Sequence, residues 1–264
     1  TNLYVTDQFN HTIRKIVIST GAVTTLAGSG SQGSADGTGT SASFKQPLGI
    51  TTDGTNLYVT DQFNHTIRKI VISTGAVTTF AGSPGSHGST AGTGTSAKFY
   101  YPVGITTDGT NLYVSDHYNH RIRKIVIATG EVTTFAGSGG QGSTNATGTS
   151  ATFKYPIDLT TDGANLYVVD NTNSIIRKIV IATKVVTTLA GSGSAGEADG
   201  TGTSASFNKP RGISTDGSYL YVGDYVNHKI RKVAIATGVV TTLAGSGTIG
   251  SADGTSTSAS FNYP

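Results

Sequence analysis

Short runs of apolar and β-branched residues recur along the whole chain, and polar turns containing glycine separate them. In the second unit of this pattern, runs at 48–52, 56–60, 67–72 and 77–81 each have the length of a strand. Asp53-Gly54 lies between the first two runs and is typical of a hairpin turn. No segment keeps the 3.6-residue periodicity of a long helix. The pattern predicts an all-β protein with four strands in each unit.

The unit is present in five copies. Residues 1–25 and 55–79 are identical, and the repeats span 1–54, 55–109, 110–163, 164–217 and 218–264. A four-stranded sheet cannot bury both of its faces alone, and radial stacking of such sheets gives a β-propeller. The hairpin signal within each unit argues against a linear β-solenoid. We therefore expect a single β-propeller domain over residues 1–264, either five-bladed or five units of a six-bladed ring.

The first strand of the unit occurs one time fewer than the other three. It is present around Ile50, Ile105, Leu159 and Ile213, whereas residue 1 begins a second strand. We therefore expect the first blade to lack its innermost strand and to leave the edge of residues 2–6 unpaired. Unpaired strand edges attract other chain segments. Either the chain is a section of a longer repeat protein, or another segment docks at this edge, and the second alternative predicts self-association.

Each copy carries further recurring positions outside the strands. An aspartate follows the second strand in every copy, and an arginine lies seven residues later, as in Asp61 and Arg68. We expect the two to pair across the hairpin and to fix the turn. Each long Gly/Ser/Thr/Ala loop ends in a phenylalanine, which we expect to anchor the loop between neighbouring blades. A single helical turn is expected at 40–44, before Pro47.

Composition narrows the possible functions. The chain contains no Cys, Met or Trp, which excludes disulfides and thiolate metal sites. The formal net charge is +3, but ten of the eighteen Lys and Arg residues form one recurring Arg-Lys pair inside an apolar run. Such dispersed charge does not form a nucleic-acid-binding surface. No apolar run approaches the length of a membrane span.

Two motifs resemble the NHL repeat. The first is Asp7-x-x-Asn10-His11-x-Ile13-Arg14, preceded by Leu3-Tyr4-Val5, and the second is Pro47-x-Gly49-Ile50, followed by Asp53-Gly54. The resemblance is to a bacterial type with a period of about 54 residues, and it covers essentially the whole chain. It implies a β-propeller that binds protein, RNA or polysaccharide, although a few relatives are lyases or lactone hydrolases. The sequence departs from the pattern at 171–174 in the fourth copy and at Asp158 near the end of the third.

The candidate binding residues lie in the turn after the second strand, where histidine and aromatic side chains recur. They are Phe9, His11, Phe63, His65, His117, Tyr118, His120, Tyr225 and His228. In a four-stranded meander, this turn and the long loop lie at the same end of the sheet, so we expect them to share one face. Aromatic side chains beside adaptable Gly/Ser loops suit contact with a protein or a polysaccharide.

Carboxylates at the Asp-Gly turns are the candidates for a hard cation such as Ca²⁺, and they are Asp53, Asp108, Asp162 and Asp216. The hairpin turn alone explains them, so we expect no metal and no other cofactor. Near-identical copies are also unsuited to a single active site. We expect a non-enzymatic, extracellular or cell-surface binding or structural module. The alternative is a propeller enzyme with a metal in the axial channel, for which His117, Asp158 and Arg211 are the divergent polar residues.

Overall fold

The computed structural model describes residues 1–264 and consists of 23 β-strands joined by turns and short 3₁₀ segments. The strands form five antiparallel sheets, which are the blades of a five-bladed β-propeller. This confirms the all-β propeller predicted from the repeats. No helix in the structure has the length and apolar character required to cross a membrane.

The strand bounds follow the repeat. The first blade contains β1 (Asn2–Asp7), β2 (Thr12–Val17) and β3 (Ala22–Ala27). The second contains β4 (Gly37–Thr38), β5 (Pro47–Thr52), β6 (Asn56–Asp61), β7 (Thr66–Val71) and β8 (Ala76–Ala81). The third contains β9 (Gly92–Thr93), β10 (Pro102–Thr107), β11 (Asn111–Asp116), β12 (Arg121–Val126) and β13 (Glu131–Ala136).

The last two blades repeat the arrangement of the second and third. The fourth contains β14 (Ala146–Thr147), β15 (Pro156–Thr161), β16 (Asn165–Asp170), β17 (Ile175–Val180) and β18 (Val185–Ala190). The fifth contains β19 (Gly200–Thr201), β20 (Ile213–Thr215), β21 (Tyr219–Asp224), β22 (Lys229–Ala234) and β23 (Val239–Ala244). The 3₁₀ turns are Gln8–Asn10, Gly39–Ser41, Gln62–Asn64, Gly94–Ser96, His117–Asn119, Gly148–Ser150, Asn171–Asn173, Gly202–Ser204, Tyr225–Asn227 and Ser256–Ser258.

Blades two to five each gain a fifth strand that the sequence pattern did not predict. In the second blade the strand order is β5-β6-β7-β8-β4, so the two-residue strand β4 lies on the outer edge. Gly37 pairs with Val77, and Thr38 pairs with Ala76. The extra strand comes from the long loop that follows the preceding blade. The first blade has only three strands, in the order β1-β2-β3, and it lacks the innermost strand as predicted.

The hydrophobic core lies between consecutive blades. In β6 the side chains of Leu57 and Val59 share one face, because successive residues of a strand point to opposite sides. These two residues pack with others from the first and second repeats in one cluster of Ile13, Ala27, Ala42, Phe44, Leu57, Val59, Ile70 and Val77. Tyr58 points to the opposite side and belongs to the next cluster, with Ile67, Phe99 and Leu112. Both faces of the second blade are therefore buried.

The chain divides into two compact units. The first comprises Thr1–Asn119 and Arg123–Thr134, and the second comprises His120–Ile122 and Phe135–Pro264. The first unit contains the two clusters described above. The second contains a cluster that includes Tyr167, Phe207, Ile213, Leu220 and Val240.

A buried arginine fastens each long loop to the blade that follows it. Arg68 Nη1 donates to Asp61 Oδ2 at 2.9 Å and to the Ser43 carbonyl at 2.9 Å. Its Nη2 donates to the Ala35 carbonyl at 2.9 Å. The guanidinium carbon lies 5.1 Å from the centroid of the Phe44 ring. A charge removed from water requires such partners, so the arginine fixes the conformation of the loop.

The same arrangement recurs in the later blades. The expected pairs of aspartate and arginine are confirmed, and they are Asp61–Arg68, Asp116–Arg123, Asp170–Arg177 and Asp224–Arg231, all fully buried. The expected phenylalanine anchors are also buried, and they are Phe44, Phe99, Phe153 and Phe207.

Asp158 occupies an innermost strand at the position of the repeat's glycine. Its Oδ2 accepts the backbone N–H of Ile213 on β20 at 3.0 Å, and its Oδ1 accepts the N–H of Leu159 at 2.9 Å. Burial raises the pKa of Asp158 to about 6, and these two hydrogen bonds oppose the effect only in part. The side chain therefore connects the inner strands of blades four and five.

The buried pair can be compared with an exposed copy of itself. Asp7 and Arg14 lie 3.4 Å apart, and about a third of each side chain is exposed, whereas the Asp61 and Arg68 side chains are fully buried. Asp61→Ala leaves a buried charge unpaired, so we expect a loss of about 3–5 kcal/mol in the free energy of unfolding. Asp7→Ala should cost less than about 1 kcal/mol. Denaturant unfolding measures both, and equal losses would contradict this account.

Asp158 predicts a pH-dependent stability. Its pKa is raised from 3.8 in the unfolded chain to about 6, so the folded state binds the proton more tightly. The contribution of the protonated Asp158 to stability is complete below the unfolded-state pKa of 3.8. It is lost as the pH rises through the folded-state pKa of about 6. The difference in melting temperature between Asp158→Asn and the wild type should therefore shift in favour of the variant as the pH rises from 3.8 to about 6. A difference that is constant with pH would refute the prediction.

Candidate functional site

Each histidine of the turn after the second strand accepts a hydrogen bond from the backbone at the end of the next long loop. His65 lies at the end of the 3₁₀ turn Gln62–Asn64 with a left-handed backbone. Its Nδ1 accepts the backbone N–H of Tyr101 at 3.3 Å. Equivalent bonds run to His11 from Gln46, to His120 from Tyr155 and to His228 from Tyr263. Ser174 replaces histidine in the fourth repeat and accepts the N–H of Lys209 through its hydroxyl.

In blades two to five, the asparagine that ends this 3₁₀ turn joins the turn to the long loop. Asn64 Nδ2 donates to the Gly33 carbonyl at 2.7 Å, and Asn119 Nδ2 donates to the Gly88 carbonyl at 2.6 Å. Asn173 and Asn227 make the equivalent bonds in the second unit. These bonds place the long loops and the turns at the same end of each blade, as the meander topology predicted.

Seven aromatic rings gather at this end of the first unit. We call them the aromatic cluster, and they are Phe63, His65, His87, Tyr100, Tyr101, His117 and Tyr118. His87 stacks on Tyr100 with ring centroids 4.3 Å apart and an interplanar angle of 18°. Tyr118 contacts Tyr100 at 5.1 Å and Tyr101 at 4.9 Å. The rings form one continuous aromatic surface.

The cluster is accessible to solvent, and it has a buried histidine at its base. Tyr118 is 44% exposed, and His87 is also exposed, whereas His65 is buried beneath them. Burial lowers the pKa of His65, and electrostatic interactions with His87 and Lys45 lower it further. His65 is therefore neutral at pH 7, and its Nε2 carries the proton because Nδ1 accepts a hydrogen bond.

The structure brings four of the nine predicted binding residues together, namely Phe63, His65, His117 and Tyr118. The others lie elsewhere. Phe9, in the turn beside His11, is 76% exposed. In the second unit His120 packs against Tyr155, whereas Tyr225 and His228 pack against Tyr263.

Three members of the cluster were missed from the sequence. Tyr100 and Tyr101 lie at the end of a long loop, and His87 lies within the same loop. The available signal was a departure from the repeat, because the equivalent positions in the first copy are Lys45 and Gln46. His87 and Tyr100 are two such departures in a single loop, whereas Tyr101 has counterparts in Tyr155 and Tyr263.

The Asp-Gly carboxylates form hydrogen bonds within their own turns. Asp53 accepts the backbone N–H groups of Thr55 at 2.8 Å and Asn56 at 2.6 Å, and the Tyr58 hydroxyl at 3.0 Å. Partial burial would raise the pKa of Asp53, but these bonds outweigh burial and lower it to about 2. Asp108, Asp162 and Asp216 make equivalent bonds. Their geometry is that of turn-stabilising residues.

The three divergent polar residues each contact their own neighbours. His117 packs against Tyr118 with ring centroids 5.0 Å apart. The Arg211 guanidinium lies 3.9 Å from the centroid of the Tyr225 ring. Asp158 accepts the Ile213 N–H, as described above. Over residues 1–264, no three His, Asp or Glu side chains converge on a metal-binding position.

The sequence matches a known repeat family and several larger proteins. The model of the NHL repeat matches residues 99–125. The chain is 28% identical over 253 residues to the protein SUPPRESSOR OF QUENCHING 1, chloroplastic, from Arabidopsis thaliana, with 89% of this chain and 24% of that protein covered. It is 32% identical over 163 residues to NHL repeat-containing protein 2 from Homo sapiens, with 56% and 22% covered. The chain thus spans no more than about a quarter of the length of either relative.

Solved structures show the same fold at low sequence identity. An auxiliary nutrient binding protein from Bacteroides thetaiotaomicron has a TM-score of 0.73 at 19% identity, with 100% of this chain and 60% of that chain covered. A streptogramin B lyase has a TM-score of 0.57 at 15% identity, with 92% and 64% covered. The same propeller therefore supports both binding proteins and enzymes. The chain is thus a β-propeller that contains a match to the NHL repeat at residues 99–125 and is similar to NHL repeat-containing proteins.

Proposed function

We propose that the chain is a non-enzymatic binding module at the cell surface or outside the cell, and that its aromatic cluster binds a polysaccharide. The observation that carries the proposal is the continuous surface of seven rings on the loop-rich end of the first unit. In a molecule of near-identical repeats, this is a place where one junction differs from the others. Specific recognition requires such a difference.

The chemistry of the rings favours a sugar ligand. A pyranose ring has an apolar face of C–H groups and a rim of hydroxyls. Tyrosine and histidine match it, because each combines an apolar ring face with a polar edge. The neighbouring long loop consists mainly of glycine, serine and threonine, which supply small hydrogen-bonding groups. The cluster contains no carboxylate, and the neutral state of His65 suits an uncharged ligand.

The structural neighbours support the same conclusion. Two auxiliary nutrient binding proteins from Bacteroides species align over the whole of this chain, with TM-scores of 0.73 and 0.69. These neighbours are nutrient binding proteins, and polysaccharides are among the nutrients that bacteria bind at their surface. The extracellular assignment rests on this likeness.

Two substitutions test the proposed surface. Phe63→Ser with Tyr118→Ser removes two rings from the cluster, each contributing about 1 kcal/mol, so binding should weaken at least about tenfold. Phe9→Ser is the matched control, because Phe9 occupies the equivalent turn position in the first repeat. Isothermal titration against a panel of neutral α-glucans, β-glucans, mannans and galactans measures the effect. The proposal fails if no polysaccharide binds, or if the double variant binds like the wild type while its melting temperature is unchanged.

Binding and folding should both be independent of divalent metal. The carboxylates of the Asp-Gly turns already accept hydrogen bonds from their own turns, as Asp53 does from Thr55 and Asn56. Adding a chelator should therefore leave the melting temperature and the polysaccharide affinity unchanged. A drop of several degrees, restored by Ca²⁺, would show that these carboxylates bind a cation.

A further inference from the structure

The first blade exposes a face that is buried in the second blade. We call it the receiving face, and in the second blade it includes Leu57, Val59, Arg68 and Val77, which are at most 2% exposed. Residues 1–25 are identical to 55–79, so the first blade carries the same face. There, Leu3, Val5 and Val23 are 53%, 42% and 51% exposed, and a third of the Arg14 side chain is exposed. Identical residues are therefore covered in one blade and bare in the other.

The long loop Gly28–Pro47 covers this face of the second blade together with Ile13 and Ala27 of the first blade. Its Ser43 and Ala35 carbonyls accept both terminal nitrogens of Arg68, and its Asp36 carboxylate lies 2.8 Å from Arg68 Nη2. Its Phe44 ring is fully buried beneath the guanidinium. This loop and this face are complementary in both charge and shape.

The last loop of the chain, Gly245–Pro264, is a second copy of that covering segment. Fifteen of its twenty residues are identical to those of Gly28–Pro47, and Asp253, Ser260 and Phe261 replace Asp36, Ser43 and Phe44 in register. It is held in the same conformation, because Gly250 donates to the Phe261 carbonyl at 3.1 Å, as Gly33 does to that of Phe44.

The covering surface of this last loop is exposed. Phe261 is partly exposed and Asp253 is exposed, although the equivalent Phe44 is fully buried. The chain therefore carries a preformed covering loop and a bare receiving face, whose contacts are already seen between its first and second repeats.

We propose that the last loop of one copy of this chain docks on the receiving face of a second copy, so that the protein associates head to tail. Asp253 and the Ala252 and Ser260 carbonyls of one copy bind Arg14 of the other. Phe261 lies beneath that guanidinium, and the loop covers Leu3, Val5 and Val23. Because the two surfaces differ, the contact is heterologous and can extend beyond a dimer. The inference does not depend on the polysaccharide proposal, since it uses none of the residues of the aromatic cluster.

Charge reversal tests the contact. The wild-type chain should show a mass that rises with concentration in sedimentation velocity, and Arg14→Asp or Asp253→Arg alone should weaken association at least about tenfold. Glu131→Arg is the control for Asp253→Arg, because it makes the same change in net charge at an exposed residue of β13. It should associate like the wild type.

Mixing the two reversed variants separates docking from misfolding. The loop of the Arg14→Asp variant and the face of the Asp253→Arg variant are both unchanged, so an equimolar mixture should form a complex that neither variant forms alone. A misfolded variant would not recover in this way. Failure of the mixture to associate would overturn the proposal, as would a wild-type chain that stays monomeric at all concentrations.

A peptide provides an independent probe. A synthetic peptide of residues 28–54 contains the covering loop and the inner strand that the first blade lacks. It should bind the wild-type chain and lower the average mass of its assemblies by competing for the receiving face. The same peptide with Asp36→Arg should bind at least about tenfold more weakly. Equal binding of the two peptides, or no effect of either, would contradict the proposed contact.

Discussion

Four arginine side chains that are completely removed from water determine how the repeats fit together. A desolvated guanidinium is unstable unless its charge is paired and its terminal nitrogens have hydrogen-bond acceptors. The aspartate of its own hairpin supplies the charge, and two carbonyls of the preceding long loop supply acceptors, as Ser43 and Ala35 do for Arg68. Loops that contain few apolar residues are therefore ordered by a polar contact with the next blade. The propeller depends on this contact as much as on its apolar clusters.

The strands were predictable because their information is local. Apolar runs, Asp-Gly turns and a fixed period specify the sheets from residues close together in sequence, and the missing inner strand followed from counting those runs. The two-residue strand Gly37–Thr38 was not predictable, because neither residue carries an apolar pattern. Its conformation is imposed by a blade that follows it in sequence, through pairing with Val77 and Ala76.

The candidate site was predictable only in part, for a related reason. Phe63, His65, His117 and Tyr118 were found because they occupy a recurring turn. Tyr100 and Tyr101 were missed because their proximity to that turn arises between blades, through the bond from Tyr101 to His65. The histidine of this turn accepts a backbone hydrogen bond in four repeats. In the second repeat the same histidine, His65, also belongs to the aromatic cluster. Repetition thus gives the scaffold, and departures from repetition indicate where one junction has acquired a different surface.

The arginine contact also bears on how such a chain can change in length over generations. Each long loop is held by the blade that follows it in sequence. The repeating structural unit is therefore a long loop together with its following blade, and its boundaries do not coincide with those of one sheet. Recombination between two nearly identical gene segments adds or removes one period of about 54 codons. Every junction that remains still places the same loop on the same arginine. The contact between loop and arginine therefore sets no limit of its own on the number of blades.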